Sequence, residues 1–207
     1  FHWMICGLKT LSFYYKNSKN YTLTDSYRLT PNSVHATNVF YDEKLVSKSD
    51  AVLPILFKPN SLASKLLNPN GGTSIKYIKM DNGVSPSQEC IGLIAELIKD
   101  ISEINPKAEI AILAFNRETV RTLQSQIFPN FSDHESLLIE TLSRIQGMTV
   151  DYCIFVIPQE SIPSSIHANR FNVATSRAKL CTLIIADNSI SKFINYEKKV
   201  KLYLERI

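Results

Sequence analysis

From residue 72 onward the apolar positions of this chain switch between two spacings. "SIKYIKM" (74–80) alternates like a half-buried strand. "EIAILAF" (109–115) is a short continuous apolar run, the pattern of a strand covered on both faces. "LLIETL", "YCIFVIP" and "LCTLIIAD" give three more such runs. Between them the spacing is helical. Ser85 as N-cap, Pro86 at the first helical position and Gln88 at the capping-box position predict a helix, with Ile91, Ile94, Ala95, Ile98 and Ile101 along it. "NRETVRTLQSQI" predicts another, capped by Asn116, with Val120, Leu123 and Ile127 on one stripe, and "RFNVATSRA" a third. Strands alternating with helices predict an α/β fold with a mainly parallel sheet and helices on both faces.

The first 70 residues differ in texture. Helix-like spacing is found in "MICGLKTLSFYY" and "PNSVHATNVFY", followed by "KPNSLASKLLNPNGGTS", which reads as a connector or surface insertion. The expected organisation is a helical lead-in over residues 1–70 and an α/β domain over 71–207, together one structural unit.

Composition narrows the class only slightly. With 44% hydrophobic and 20% charged residues the chain reads as a water-soluble globular protein, and no apolar run approaches the ~20 residues that span a bilayer. A net charge of +4 is compatible with a polyanionic partner without requiring one. Cys6, Cys90, Cys153 and Cys181 lack metal or disulfide spacing, so a reducing, cytoplasmic setting is expected. The N-terminus lacks the features of a signal peptide and does not begin with methionine, which suggests a piece of a longer chain.

In a parallel sheet, functional groups gather where strands meet helices. Asn116 and Arg117 follow one strand, Gln146 and Gly147 follow another, and Arg170 to Arg177 precede the last. On a helix Arg170, Ala174 and Arg177 would share a face, and the small residues Ala174, Ser176 and Ala178 would allow close packing while Arg177 presents its fork at a crevice. For either arginine alone, a solvated surface role is the competing reading. The four histidines show no ligand spacing, and "YEKKVKLYLER" reads as a charged amphipathic helix end, a solvated face that caps the sheet or leads to a following domain.

Taken in order, "SYRLTP" with "NVFYDEKL", "IAILAFNRETV", "ETLSRIQGMTVD" and "NVATSRAK" resemble the second RecA-like motor domain of superfamily 1 DNA and RNA helicases, over roughly residues 20 to 187. The resemblance implies that Tyr27 lies near a nucleotide base, Arg28 reaches the γ-phosphate and Arg177 stabilises phosphate charge. It places Gln146, Gly147 and Thr149 on the nucleotide side. Thr141 and Ser143 would approach the nucleic-acid backbone, and Asn116, Arg117 and Arg144 join them as candidate contacts. Many relatives carry glutamate where Thr149 stands, and histidine or aspartate where Ser143 stands.

A nucleoside triphosphatase needs a phosphate loop and magnesium-holding carboxylates. No "GK[ST]" occurs in the chain. Asp42 and Glu43 follow a helix-like stretch rather than a core strand, so they are not expected to hold the metal. By the resemblance, ATP and Mg2+ would be held mainly by an N-terminal RecA-like domain upstream of residue 1. The expected function is that of a C-terminal helicase motor domain acting on single-stranded DNA or RNA, with no membrane partner. The alternative is a non-catalytic RecA-like binding or scaffold module.

Overall fold

The computed structural model describes residues 24–51, 56–80 and 83–207; the helix expected around residues 4–15 lies outside them. Five strands form the main sheet: β3 (Gly72–Ile78), β4 (Ile110–Ala114), β5 (Leu137–Thr141), β6 (Val150–Ile157) and β7 (Ala178–Asp187). Their order is β3-β7-β6-β4-β5, and every neighbouring pair is parallel. A two-stranded parallel ribbon, β1 (Asp25–Ser26) with β2 (Val46–Ser47), lies outside this sheet.

Alternation along each strand divides the core into two layers, as a period of two requires. Ile110, Ile112, Ile154, Val156, Leu183 and Ile185 point to one face, covered by α2 (Leu62–Leu66), α3 (Gln88–Ile104) and α4 (Arg117–Ile127). Leu113, Cys153, Phe155 and Ile184 point to the other. That face is covered by α1 (Pro31–Thr37), α6 (Ala168–Thr175) and α7 (Lys198–Leu204), with the short α5 (Ile162–Ser165) beside them.

Two expectations are corrected, and a third is sharpened. The α3 cap is Ser87, whose hydroxyl accepts from the Cys90 N–H at 3.3 Å, so Gln88 is the first helical residue and Ser85 lies outside. The preceding backbone is tied elsewhere: the Val84 carbonyl accepts from the Thr119 hydroxyl of α4. The stretch read as a connector contains α2, capped by Ser61, and sends Ala63 and Leu67 into the core. The C-terminal helix is more than a solvated face. Tyr203 is fully buried, its hydroxyl is 2.5 Å from the Thr73 Oγ1, and its ring packs with Phe40 and Phe171.

Cys90, Cys153 and Cys181 are free and buried, and burial pushes each thiol up to about 12. Only thiolate reacts readily. A Cys6→Ser variant is therefore expected to show no titratable thiol with an aromatic disulfide reagent at pH 8 while folded, and three after denaturation; rapid labelling of the folded protein would contradict this packing.

Candidate functional site

Arg28 and Arg177 are 149 positions apart in the chain and meet around one residue. Arg28 Nη1 donates to the Ser176 carbonyl at 2.9 Å, and Arg177 Nη2 donates to the Ser176 hydroxyl at 3.0 Å. Several local devices bring Arg28 there. β1 ends immediately before Tyr27, pairing with β2 through Lys48 N–H to the Ser26 carbonyl, and Ser47 Oγ donates to the Leu29 carbonyl. Thr30 then caps α1, accepting from the Ser33 N–H. The Asn38 side chain clamps both backbone groups of Leu45, which closes the turn between α1 and β2.

Arg177 does not lie on a helix. α6 ends at Thr175, and the Arg177 carbonyl accepts from the Val150 N–H at the start of the β6–β7 ladder. Pairing with β6 thus draws the backbone out of helical geometry three residues before the apolar pattern suggests. The guanidinium folds back instead, with Nε donating to the Val173 carbonyl at 2.8 Å and Nη1 reaching the Met148 carbonyl at 3.5 Å. It thereby caps the C-terminal end of α6 with positive charge.

These residues line a crevice of about 490 Å3. Its walls include Tyr27, Arg28, Tyr41, Thr149, Arg177 and Lys179. Both guanidinium groups have their acidity raised, first by burial; Arg177 is pushed further by the nearby Arg28 charge. Arg28 Nε is buried with no hydrogen-bond partner among the described residues. Lys179 is drawn away by Asp151 at 2.9 Å and Glu109 at 3.3 Å. Two like charges held close, one with an unspent donor, make a site that an anion would stabilise.

Of the other residues expected on the nucleotide side, Gln146 and Gly147 are exposed in the turn before β6 and do not line the crevice. They adjoin Met148, whose carbonyl receives Arg177. Tyr27 is 75% exposed, its ring free to be covered by a planar partner. Arg170 stands apart, over the Phe115 ring at 4.7 Å and donating to the Ser164 carbonyl.

The candidate nucleic-acid residues collect at the opposite edge of the sheet, where β4 and β5 end. Arg117, Thr141 and Arg144 line a pocket of about 220 Å3 with Arg121, Gln124 and Glu140. Arg144 is paired with Glu140 at 3.0 Å, and Ser143 hydrogen-bonds Thr141 at 3.1 Å. Asn116 is the N-cap position of α4 but makes no side-chain cap bond. Arg121 escaped sequence reading although it lies one helical turn after Arg117; Tyr41 escaped although it belongs to the quoted Phe-Tyr pair.

The donors of the crevice fit a polyphosphate chain and an aromatic base. They do not supply a metal cage: among the described residues no group of three His, Cys, Asp or Glu side chains could hold an ion. Asp42 and Glu43 are turned to Lys199 and Arg206, at 3.7 and 2.8 Å.

A parallel five-stranded sheet with helices on both faces gives the chain a RecA-like α/β fold. The chain belongs to the AAA_12 family of AAA domains, whose model matches residues 8–189. Among solved structures it is similar to the helicase domain of Pyrococcus furiosus Hef, with 15% identity and a TM-score of 0.35. That similarity covers 52% of this chain and 27% of the other. No curated protein matches the chain. No helix among the described residues is long and apolar enough to cross a membrane.

Proposed function

We propose that this chain is the C-terminal motor domain of an ATP-dependent superfamily 1 helicase or translocase. ATP and Mg2+ would be held mainly by an N-terminal RecA-like domain of the same full-length protein, and the crevice would close over the phosphates. Arg28 and Arg177 would stabilise charge on the transferring phosphoryl group, Tyr27 would cover the base, and Thr149 would line the nucleotide side. Gln146 and Gly147 would act from the adjoining turn. Asn116, Arg117, Thr141, Ser143 and Arg144 would grip the backbone of single-stranded DNA or RNA.

The observation that supports this reading is the convergence of Arg28 and Arg177 on Ser176 beside an exposed tyrosine. Preorganised cations aimed at developing charge are the chief means by which proteins accelerate phosphoryl transfer. A second reading, a non-catalytic module, draws on the bonds of all three Arg177 nitrogens to protein oxygens.

One comparison separates the two. The 207-residue chain alone is expected to hydrolyse ATP at background rate and to bind single strands weakly, with affinity falling as salt rises. The full-length protein is expected to hydrolyse ATP faster when single-stranded nucleic acid is added. Robust turnover by the isolated chain would sink the division of labour proposed here. A full-length protein without nucleic-acid-stimulated turnover would leave the module reading standing.

A further inference from the structure

Helix α6 carries the chain from one edge of the sheet to the other. It begins beyond the end of β6, which lies level with the end of β4 because Ala114 pairs with Val156, and it leads to the start of β7 opposite Val150. Arg177 therefore reaches the arginine crevice. Arg170, the third residue of α6, stands instead at the edge where β4 and β5 end.

The Arg170 guanidinium lies over the Phe115 ring, 4.7 Å from its centroid, and Nη1 donates to the Ser164 carbonyl at 3.2 Å, which fixes its orientation. Phe115 is half-buried against the core, so the ring is a firm support. Arg170 is itself exposed, and among the described residues no carboxylate pairs with it. A guanidinium is planar and weakly hydrated, and either face can stack on a π-system. Phe115 covers one face, and the other is open.

The neighbourhood of this stack says what would cover it. Phe115 immediately precedes Asn116 and Arg117, and the Ala114 carbonyl accepts from the Leu142 N–H at 3.2 Å, so residues 115–117 and 142–144 leave the sheet side by side. The adjoining pocket sets Arg117, Arg121 and Arg144 against a single carboxylate, Glu140, a surplus of positive charge suited to phosphates. Between pocket and stack, the Asn116 side chain makes no cap bond.

We infer that Arg170, backed by Phe115, is a stacking platform for one base of a single-stranded nucleic acid whose backbone occupies the pocket of Arg117, Arg121 and Arg144. Phe115 is the positioning residue of that platform. The inference rests on the proposed reading of this edge as the nucleic-acid site. Every base offers a π-face, so such a contact holds a strand without reading its sequence.

The test is equilibrium binding by the full-length protein without nucleotide, read by fluorescence anisotropy, to end-labelled oligothymidylate and to an abasic oligonucleotide of the same length. The two strands share their phosphates and differ in their bases. Arg170→Lys keeps the charge and loses the plane; it is expected to weaken binding to oligothymidylate about 10-fold and to the abasic strand less than about 2-fold. Phe115→Leu keeps an apolar side chain in the core and should reduce the preference for the base-bearing strand in the same direction. Wild-type affinity of Arg170→Lys for oligothymidylate, or equal losses on the two strands, would overturn the inference, because a fold defect or a lost phosphate contact lowers both alike. Arg117→Ala separates failure of the platform from failure of the site. If it weakens both strands and flattens the salt dependence while Arg170→Lys changes neither, only the platform is wrong. If Arg117→Ala also binds both strands like wild type, the reading of this edge as the nucleic-acid site falls with it.

Discussion

Arg177→Ala in the full-length protein is expected to lower nucleic-acid-stimulated ATP turnover roughly a thousandfold or more, with ATP affinity changed only a few fold. The magnitude follows from what such a group does: an arginine on a transferring phosphoryl group contributes about three to five orders of magnitude. Affinity is spared because the proposed phosphate loop would hold most of the ground-state contacts. Arg177→Lys keeps the charge but loses the planar fork, and it should recover little of the rate. The same side chain also caps α6, so folding must be measured alongside. Loss of hydrogen bonds from a partly exposed arginine should cost about 1 kcal/mol, a Tm change of about 2 to 4 °C in a domain of this size. Near-normal turnover, or a collapse of Tm that explains the loss, would remove Arg177 from its proposed role.

Truncation of Tyr203 is the second large effect, and it concerns stability rather than chemistry. The ring is completely buried between Phe40, Phe171 and the sheet, in a core shared by residues before β3 and residues after β7. Tyr203→Ala leaves a cavity and an unpaired Thr73 hydroxyl, and it should destabilise the fold by about 4 kcal/mol. Tyr203→Phe retains the packing and loses only the hydrogen bond, at about 1 kcal/mol. Chemical denaturation read by tryptophan-independent far-UV dichroism gives both numbers. Equal effects of the two substitutions would mean that the hydrogen bond, not the ring, dominates.

How much of this was readable beforehand depends on the range of the interactions concerned. The strands announce themselves because a parallel sheet covered on both faces needs continuous apolar runs, as in "AILA" and "CIFVI". Helix ends were less legible because they depend on competing partners. The sequence pointed to Ser85 as the cap, whereas Ser87 takes that place while the Val84 carbonyl is held by the Thr119 hydroxyl. The end of α6 was misplaced because the small residues Ser176 and Ala178 fit a helix as well as a strand entry. Only pairing to Val150 decides.

The site divides in the same way. Motif order singled out Arg28 and Arg177, but nothing local says that they share one serine, since that contact spans 148 positions. It also did not say that Gln146 and Gly147 stay on an exposed turn while Met148 offers its carbonyl to Arg177. Tyr41 was missed for a related reason. Its place on the crevice wall follows a turn of two left-handed residues whose anchors, Lys199 and Arg206, lie at the far end of the chain.

The segment between β5 and β6 carries Ser143 and Arg144 at the edge where β5 ends, and Met148 and Thr149 at the edge where β6 begins. Because the two strands run parallel, residues 142–149 must travel the whole height of the sheet, pinned on the way by the buried Leu142 and Ile145. It is therefore a strap of two hydrogen-bonded turns with a basic pocket at one end and the arginine crevice at the other. The two sites are thus only five positions apart along the chain, from Ser143 to Met148, whose carbonyl receives Arg177.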